Sequence, residues 1–194
     1  MSLFNNLRRF RDEENGSYIV ETILFIPLIF WAIVATTVFF DGFRTQYLNQ
    51  KATYTIADAV SRSTVALNNN YVDNSYRLVD YIAPRSDSPT RMRLTVLCYN
   101  HDENRYKVKF SQVRGSYSTH TEASLNSMSD RLPPLANSDE LILVEAAVPF
   151  EPIFNAGIAA MYLENQTFTR SRTFPIQWDN GSEPAATPSA SNDG

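Results

Sequence analysis

Apolar residues form one long block near the start of the chain and shorter alternating blocks further on. The block from Thr22 to Phe40 contains no charged residue, and a helix of this length spans roughly 28 Å at about 1.5 Å per residue. That length is close to the thickness of a bilayer's hydrocarbon core. The pattern therefore predicts a transmembrane helix over residues 17–40.

The helical pattern continues past the apolar block, because no proline interrupts residues 41–67 and apolar positions recur at three- and four-residue steps. We expect this amphipathic face to pack on a soluble domain, and the helix to end at Asn68-Asn69-Asn70. The aromatic residues Phe43, Tyr47 and Tyr54 lie on another side, with packing as the expected role and a partner contact as the alternative. The small and aliphatic positions of the expected packing face are Leu48, Ala52, Ile56, Ala59, Ser63 and Leu67, with Val60 at its edge.

Later segments alternate between apolar and polar residues, as half-buried strands do. Residues 92–98 and 106–111 alternate on either side of a polar turn, which predicts a β-hairpin. Two further strands are predicted over 141–148 and 167–178. The other segments are predicted to be a connection (71–90), a loop or weak helix (119–130) and a short helix (152–162).

These elements predict an α+β fold, in which a long N-terminal transmembrane and amphipathic helix packs on a small antiparallel sheet. The polar C-terminal residues have no large apolar side chain and are expected to be disordered. The predicted organisation is a leader (1–16), a transmembrane helix (17–40), its amphipathic continuation (41–67), an α+β domain (68–178) and a tail (179–194).

Charge and composition exclude several classes of function. A net charge of −4 and the absence of a basic stripe argue against a nucleic-acid partner. The single cysteine, Cys98, rules out an intrachain disulfide and is expected to be a small buried strand residue, with an intermolecular disulfide as the alternative. The two histidines, His101 and His120, lie in polar surroundings without metal-ligand spacing.

The charged residues form no recognisable catalytic group. Adjacent carboxylates at Asp102-Glu103 and Asp139-Glu140 do not converge in any regular element, so solvated turns are expected. The pairs Arg91/Arg93 and Arg170/Arg172 are expected to lie on a solvated strand face or in local salt bridges, and the second pair could instead meet a partner. The sequence therefore predicts no enzyme activity, metal site, cofactor or small-molecule substrate.

One acidic residue lies at the beginning of the apolar block. Glu21 follows Gly16 by five residues, and a charged carboxylate within a membrane costs about 2.5–3.5 kcal/mol on insertion scales. Such a residue is expected either to reach back to the headgroups or to have a function. Pro27, inside the predicted helix, is expected to produce a kink with a packing role.

The segment from Gly16 to Glu21, followed by an apolar run with Pro27 near its start, resembles the amino terminus of TadE/TadF-like pseudopilins. These are minor pilin-like proteins of the tight-adherence (Flp-type) pilus system. The resemblance implies that a prepilin peptidase cuts after Gly16, so that Ser17 becomes the amino terminus and Glu21 the fifth residue. It also implies that Glu21 pairs with a neighbouring subunit's amine and so sets subunit register. Ser17 departs from the phenylalanine usual in type IVa pilins, and Thr22 from the Glu-Tyr pair of the major Flp subunit.

The resemblance implies a non-enzymatic function in assembly or initiation of a pilus used for surface attachment and biofilm formation. The expected partners are the bacterial inner membrane, the prepilin peptidase, other minor pilins and the assembly machinery. Three arginines before the apolar block, against Arg44 and Lys51 after it, weakly favour a cytoplasmic amino terminus and a periplasmic domain. The alternative is a single-pass membrane-anchored interaction protein unrelated to pili. A signal peptide cut near Ala35 is less favoured, because that site lies inside the apolar block.

Overall fold

The computed structural model describes residues 15–82, 88–136, 139–154, 157–172 and 175–180. These residues divide into two compact units, one holding the first helix up to Arg44 with the connection Pro152–Ala160, the other holding the rest. Residues 1–14 of the predicted leader and most of the predicted tail lie outside the described residues. The helices are α1 (Asn15–Ser61), α2 (Asn69–Ile82) and α3 (Glu122–Ser127), with a 3₁₀ turn at Ser129–Arg131. The strands are β1 (Arg91–Asn100), β2 (Arg105–Arg114), β3 (Glu140–Phe150) and β4 (Met161–Arg170).

The four strands form one antiparallel sheet in the order β2-β1-β3-β4. The predicted hairpin is confirmed as β1 and β2, which are joined by a turn at residues 101–104. The apolar run of β3 takes a central place and is buried over almost its whole length. The long apolar helix and the antiparallel sheet confirm the α+β fold class.

One face of the sheet carries the larger core. Met92, Leu94 and Val96 of β1 alternate towards this face and are fully buried, as their spacing predicted. The β3 residues Ile142, Val144, Ala146 and Val148 complete the sheet's share of this core. Helix residues cover it, principally Ala52, Ile56, Ala57 and Val60 of α1 and Val72 and Val79 of α2.

The face of α1 that packs on the sheet is rotated from the predicted one. Ala52, Ile56 and Val60 are buried as expected, but Ala59 is exposed. Asn49 and Thr53 are fully buried instead, because both form hydrogen bonds to the sheet. The Asn49 amide donates to the carbonyl oxygens of Ala146 and Leu163 at 3.3 and 2.8 Å, and Thr53 contacts the side chains of β4 residues.

Helix α2 corrects the prediction of a plain connection over 71–90. The asparagine triplet predicted to end α1 instead begins α2, since the Asn68 side chain accepts a hydrogen bond from the Tyr71 backbone N–H at 3.0 Å. α1 ends earlier than predicted, at Ser61. Val72, Ser75 and Val79 form the buried face of α2, at the spacing of an amphipathic helix.

The second face of the sheet is covered by α3 and the segments around it. Leu125, Leu132 and Leu135 pack there against Leu97, Leu141 and Leu143. Asn126 also protects the edge strand β2, because its side chain both accepts from the backbone N–H of Tyr106 and donates to the carbonyl of Tyr106. Thr121 caps α3 in a reciprocal arrangement with Ser124.

Two predictions near the C-terminus are wrong. The described part of 152–162 is not helical; Gly157 there has a φ of +89°, a conformation incompatible with a helix. The last strand is β4, which begins six residues before the predicted start and ends at Arg170. Trp178 lies beyond it and forms an isolated parallel bridge with Leu67.

Candidate functional site: the apolar helix and a buried carboxylate

The first part of α1 presents apolar side chains to its surroundings on nearly every side. Leu24 and Phe40 are each 72% exposed, and Trp31, at the middle of the uncharged block, is 58% exposed. Among the described residues, α1 is the one helix long and apolar enough to cross a membrane. Such a surface is unfavourable in water and matches a lipid environment. α1 is therefore a candidate membrane anchor.

The predicted processing and assembly residues lie together on this helix. Gly16 and Ser17 belong to its first turn, whereas Glu21 is exposed on the apolar surface, a little over one turn further on. The neighbouring Thr22 hydroxyl is satisfied within the helix, since it donates to the Tyr18 carbonyl at 2.7 Å. Pro27 lies inside the helix, as predicted. Their roles in cleavage and register remain predictions.

Sequence reasoning missed a second polar group, centred on Glu145 in the middle of β3. Glu145 lies directly opposite Arg93 of β1 and Gln166 of β4 in the strand registers. Arg93 Nε donates to Glu145 Oε2 at 2.5 Å, and Gln166 Nε2 donates to Glu145 Oε1 at 2.9 Å. His120 Nε2 lies 2.9 Å from Glu145 Oε2, while its Nδ1 lies 2.9 Å from Ser124 Oγ.

The loop that precedes α3 covers this polar group. Ser118 accepts a hydrogen bond from Arg93 Nη1 at 2.8 Å, and the Tyr117 ring lies 5.0 Å from the Arg93 guanidinium carbon. The loop begins at Gly115, where the backbone has a φ of +77° and passes close to the Thr90 carbonyl. Only glycine suits this position, because a side chain would be strained by the φ and would collide with the carbonyl.

The pKa values of Glu145 and Tyr117 are both shifted by this environment. Burial alone raises the pKa of the Glu145 carboxyl, but hydrogen bonds from His120 and Arg93, together with their charges, outweigh burial and lower it. Burial also raises the pKa of Tyr117 to about 12, and the nearby carboxylates of Glu164 and Glu145 add to the increase. Glu145 is therefore held as a carboxylate and Tyr117 as a neutral phenol at ordinary pH.

The chemistry open to this group is limited by its burial. The Glu145 and His120 side chains are only 4% and 7% exposed, so a substrate has no approach to either. Both carboxylate oxygens already accept hydrogen bonds. The arrangement fixes β1, β3, β4 and the α3 loop to one another. A lone glutamate within an apolar strand was the sequence signal that could have revealed it.

Two other predicted candidates, Cys98 of β1 and Glu140 of β3, lie opposite each other in the strand register. Among the described residues, no group of three or more His, Cys, Asp or Glu side chains is placed to hold a metal ion. Cys98 is half-buried rather than fully buried. Glu140 is not a solvated turn residue, because it forms an ion pair with Lys109 and accepts a hydrogen bond from the Ile176 backbone at 2.7 Å.

The aromatic residues on the later part of α1 are not buried, which contradicts the expected packing role. Tyr47 and Tyr54 are 63% and 60% exposed. Together with Lys51 they line one wall of an open groove of about 490 Å³, whose other wall is residues 165–168 of the edge strand β4. The exposure of these rings favours the alternative interpretation, a contact with a partner.

Comparisons with protein-family models, with curated proteins and with solved structures found no match for this chain. Its functional assignment therefore rests on its own residues and their geometry.

Proposed function

We propose that this protein is a pseudopilin of a tight-adherence pilus system, similar to the TadE/TadF-like proteins. In this proposal a prepilin peptidase removes the residues up to Gly16, and α1 then holds the protein in the bacterial inner membrane. The α+β domain lies in the periplasm, where it contacts other minor pilins and helps to start or assemble the pilus. The protein has no catalytic activity of its own in this function.

The observation that carries the proposal is the division of α1 into two parts. One continuous helix begins next to Gly16, exposes apolar side chains as far as Phe40, and then buries Ala52 and Ile56 against the sheet. A cleavage glycine, a glutamate on the fifth mature residue and a membrane helix continuing into a domain core form the layout implied by the resemblance.

Glu21 supports the proposal through its energetic cost. It is exposed on the apolar part of the helix, where the surrounding lipid offers no partner for a charge. Cleavage after Gly16 would create a positive amine at Ser17, about one helical turn away. An amine of this kind, supplied by a neighbouring subunit, would offset the cost of placing the carboxylate in the membrane.

The groove beside Tyr47 and Tyr54 supports the part of the proposal that concerns partners. Exposed tyrosines next to an edge strand offer apolar area with polar tips, a composition that is common in protein interfaces. The two tyrosines lie beyond the apolar block, so a periplasmic partner could reach them.

The test is the amino-terminal sequence of the full protein purified from its native membranes, alongside a Gly16→Leu variant. We expect the wild type to start at Ser17 and the variant to keep its leader, because a peptidase site shaped for glycine excludes a larger side chain. A Gly42→Leu variant is the control, since it changes a glycine of the same helix outside the cleavage site. A wild-type start at Met1 or Ser2 would contradict the proposal and leave a membrane-anchored interaction protein.

A further inference from the structure

The connection between β3 and β4 is unusually apolar for an exposed loop. No charged residue occurs from Pro152 to Leu163. Ile153 is 78% exposed and Phe154 is 54% exposed, which makes them adjacent large apolar side chains with little protein cover. Large apolar groups in this state mark a surface that contacts something other than water.

The position of the connection indicates what that surface contacts. Pro152–Ala160 forms a compact unit with the apolar part of α1 and is separate from the sheet that it joins. The exposed apolar side chains of the connection and of the helix therefore belong to the same unit. A membrane that receives this part of the helix is the apolar phase nearest to the loop.

Two residues of α1 near the end of the uncharged block are much less exposed than their neighbours. Ala35 and Val38 are only 7% and 4% exposed, whereas Ile33 and Phe40 are 60% and 72% exposed. One side of the helix is therefore covered at these two positions. At about 1.5 Å per residue, the two covered positions lie roughly 3–8 Å inside the Phe40 end of the uncharged block.

From these observations we propose that the β3–β4 connection is a second membrane-contacting element. Ile153 and Phe154 enter the edge of the hydrocarbon layer, in the leaflet that contains the Phe40 end of α1. The proposal rests on the membrane anchoring proposed above and adds a second point of attachment to it. It does not depend on cleavage after Gly16.

The chemistry of the loop favours shallow insertion over deep insertion. Backbone polar groups of a loop have no partners in hydrocarbon, so the backbone is expected to stay at the headgroup level while the side chains reach inward. Pro152 has no N–H to satisfy. Interfacial apolar groups typically enter about 5–10 Å.

Quenching of tryptophan fluorescence by brominated lipids tests the proposal on the full-length protein. Phosphatidylcholine vesicles would carry bromine on the acyl chain near either the headgroup or the bilayer centre. The native Trp31, isolated by Trp178→Phe, reports on the middle of the helix. In a background lacking both native tryptophans, Ile153→Trp reports on the loop and Val65→Trp is the matched control, since Val65 is 75% exposed in the domain.

We expect bromine near the headgroup to reduce Ile153→Trp fluorescence at least about twofold, and bromine at the bilayer centre to act most strongly on Trp31. The Val65→Trp protein should be quenched by neither lipid. If Trp31 is quenched and Ile153→Trp is not, the loop proposal is overturned while the anchor stands. If neither is quenched, the anchor fails as well. Equal quenching of Val65→Trp would show nonspecific adsorption of the domain and would also overturn the proposal.

Discussion

Arg93 and Glu145 face each other on neighbouring strands, with Arg93 Nε 2.5 Å from Glu145 Oε2, on the face of the sheet that α3 covers. Their side chains are 13% and 4% exposed, so this ion pair is largely removed from water. Its stability depends on the further donors His120 and Gln166, because a buried carboxylate needs all its hydrogen bonds.

Replacing Glu145 by glutamine should destabilise the folded domain by about 3 kcal/mol, because Arg93 would keep a buried charge without its partner. The measurement is the free energy of unfolding from urea titration of the full protein in detergent. Glu164→Gln is the matched control on the same side of the sheet, exposed on β4, and should change stability by less than about 0.5 kcal/mol. Equal losses in the two variants would contradict an energetic role for the buried group.

The same pair predicts a dependence on acid pH. Because the folded-state pKa of Glu145 lies below its ordinary value of 4.5, the carboxylate contributes stability that is complete above that value. This contribution is lost as the pH falls below 4.5 and through the lower pKa of the folded state. The difference in unfolding free energy between wild type and Glu145→Gln should therefore be constant from about pH 6 to 5 and shrink in more acidic solution. If the difference in unfolding free energy stays constant under acid conditions, the charge of the Glu145 carboxylate does not stabilise the fold.

Asn68 should matter as the N-cap of α2. An Asn68→Ala change removes the acceptor for the Tyr71 N–H and should cost about 1 kcal/mol of unfolding free energy. Asn70→Ala, in the exposed first turn of the same helix, should be neutral or slightly stabilising, since alanine is the better helix former. If both alanines had the same effect, the capping assignment would be wrong.

Gly115 and Gly157 form a matched pair for separating backbone strain from crowding. Both have positive φ, but a Cβ at Gly115 would lie 2.4 Å from the Thr90 carbonyl oxygen, whereas one at Gly157 meets nothing within 4 Å. Gly157→Ala should cost about 1 kcal/mol from its conformation alone. Gly115→Ala should cost about 3 kcal/mol and loosen the loop over Glu145, detectable as faster amide exchange at residues 116–120. Similar costs at the two glycines would refute the close approach.

Glu21→Ala tests the role proposed for the intramembrane carboxylate. The variant should insert into membranes as well as wild type or better, because it lacks the carboxyl group that the proposal places in lipid. Pilus assembly, measured as surface pili and attachment of the bacterium, should fall sharply. Thr22→Ala is the control in the same turn and should assemble normally, since its hydroxyl bonds only within the helix. Normal assembly by Glu21→Ala would remove the basis for its role in register.

The sequence predicted the elements whose pattern is local. The hairpin β1–β2 and the strand β3 follow from alternation and apolar runs, and the long helix follows from its uncharged block. α2 was missed because asparagines suit a helix start as well as a helix end, and only the geometry of Asn68 distinguishes the two. The seven-residue spacing of Val72 and Val79, which are both buried, is typical of a helix and could have indicated α2.

The polar group around Glu145 could not be assembled from local patterns. Arg93 and His120 lie far from Glu145 in sequence; Arg93 was expected on a solvated face or in a local salt bridge with no partner named, and His120 in polar surroundings. Only the strand register and the α3 loop bring them within hydrogen-bonding distance. The packing face of α1 was misplaced for a similar reason, because Asn49 is buried by virtue of partners on β3 and β4.

The hydrogen bonds between α1 and β4 have a mechanical consequence. Gln46 donates to the carbonyl of residue 164 and Asn49 to that of residue 163, whereas Thr53, further along the helix, accepts from residues 165 and 167, so the contacts advance along β4 over the segment as a whole. The helix segment and the strand therefore run in the same direction, side by side. A pull along the helix axis would load these bonds in shear, so that they must yield together, whereas a sideways pull would open them one after another. The domain should accordingly resist tension applied through α1 better than the number of these bonds alone suggests.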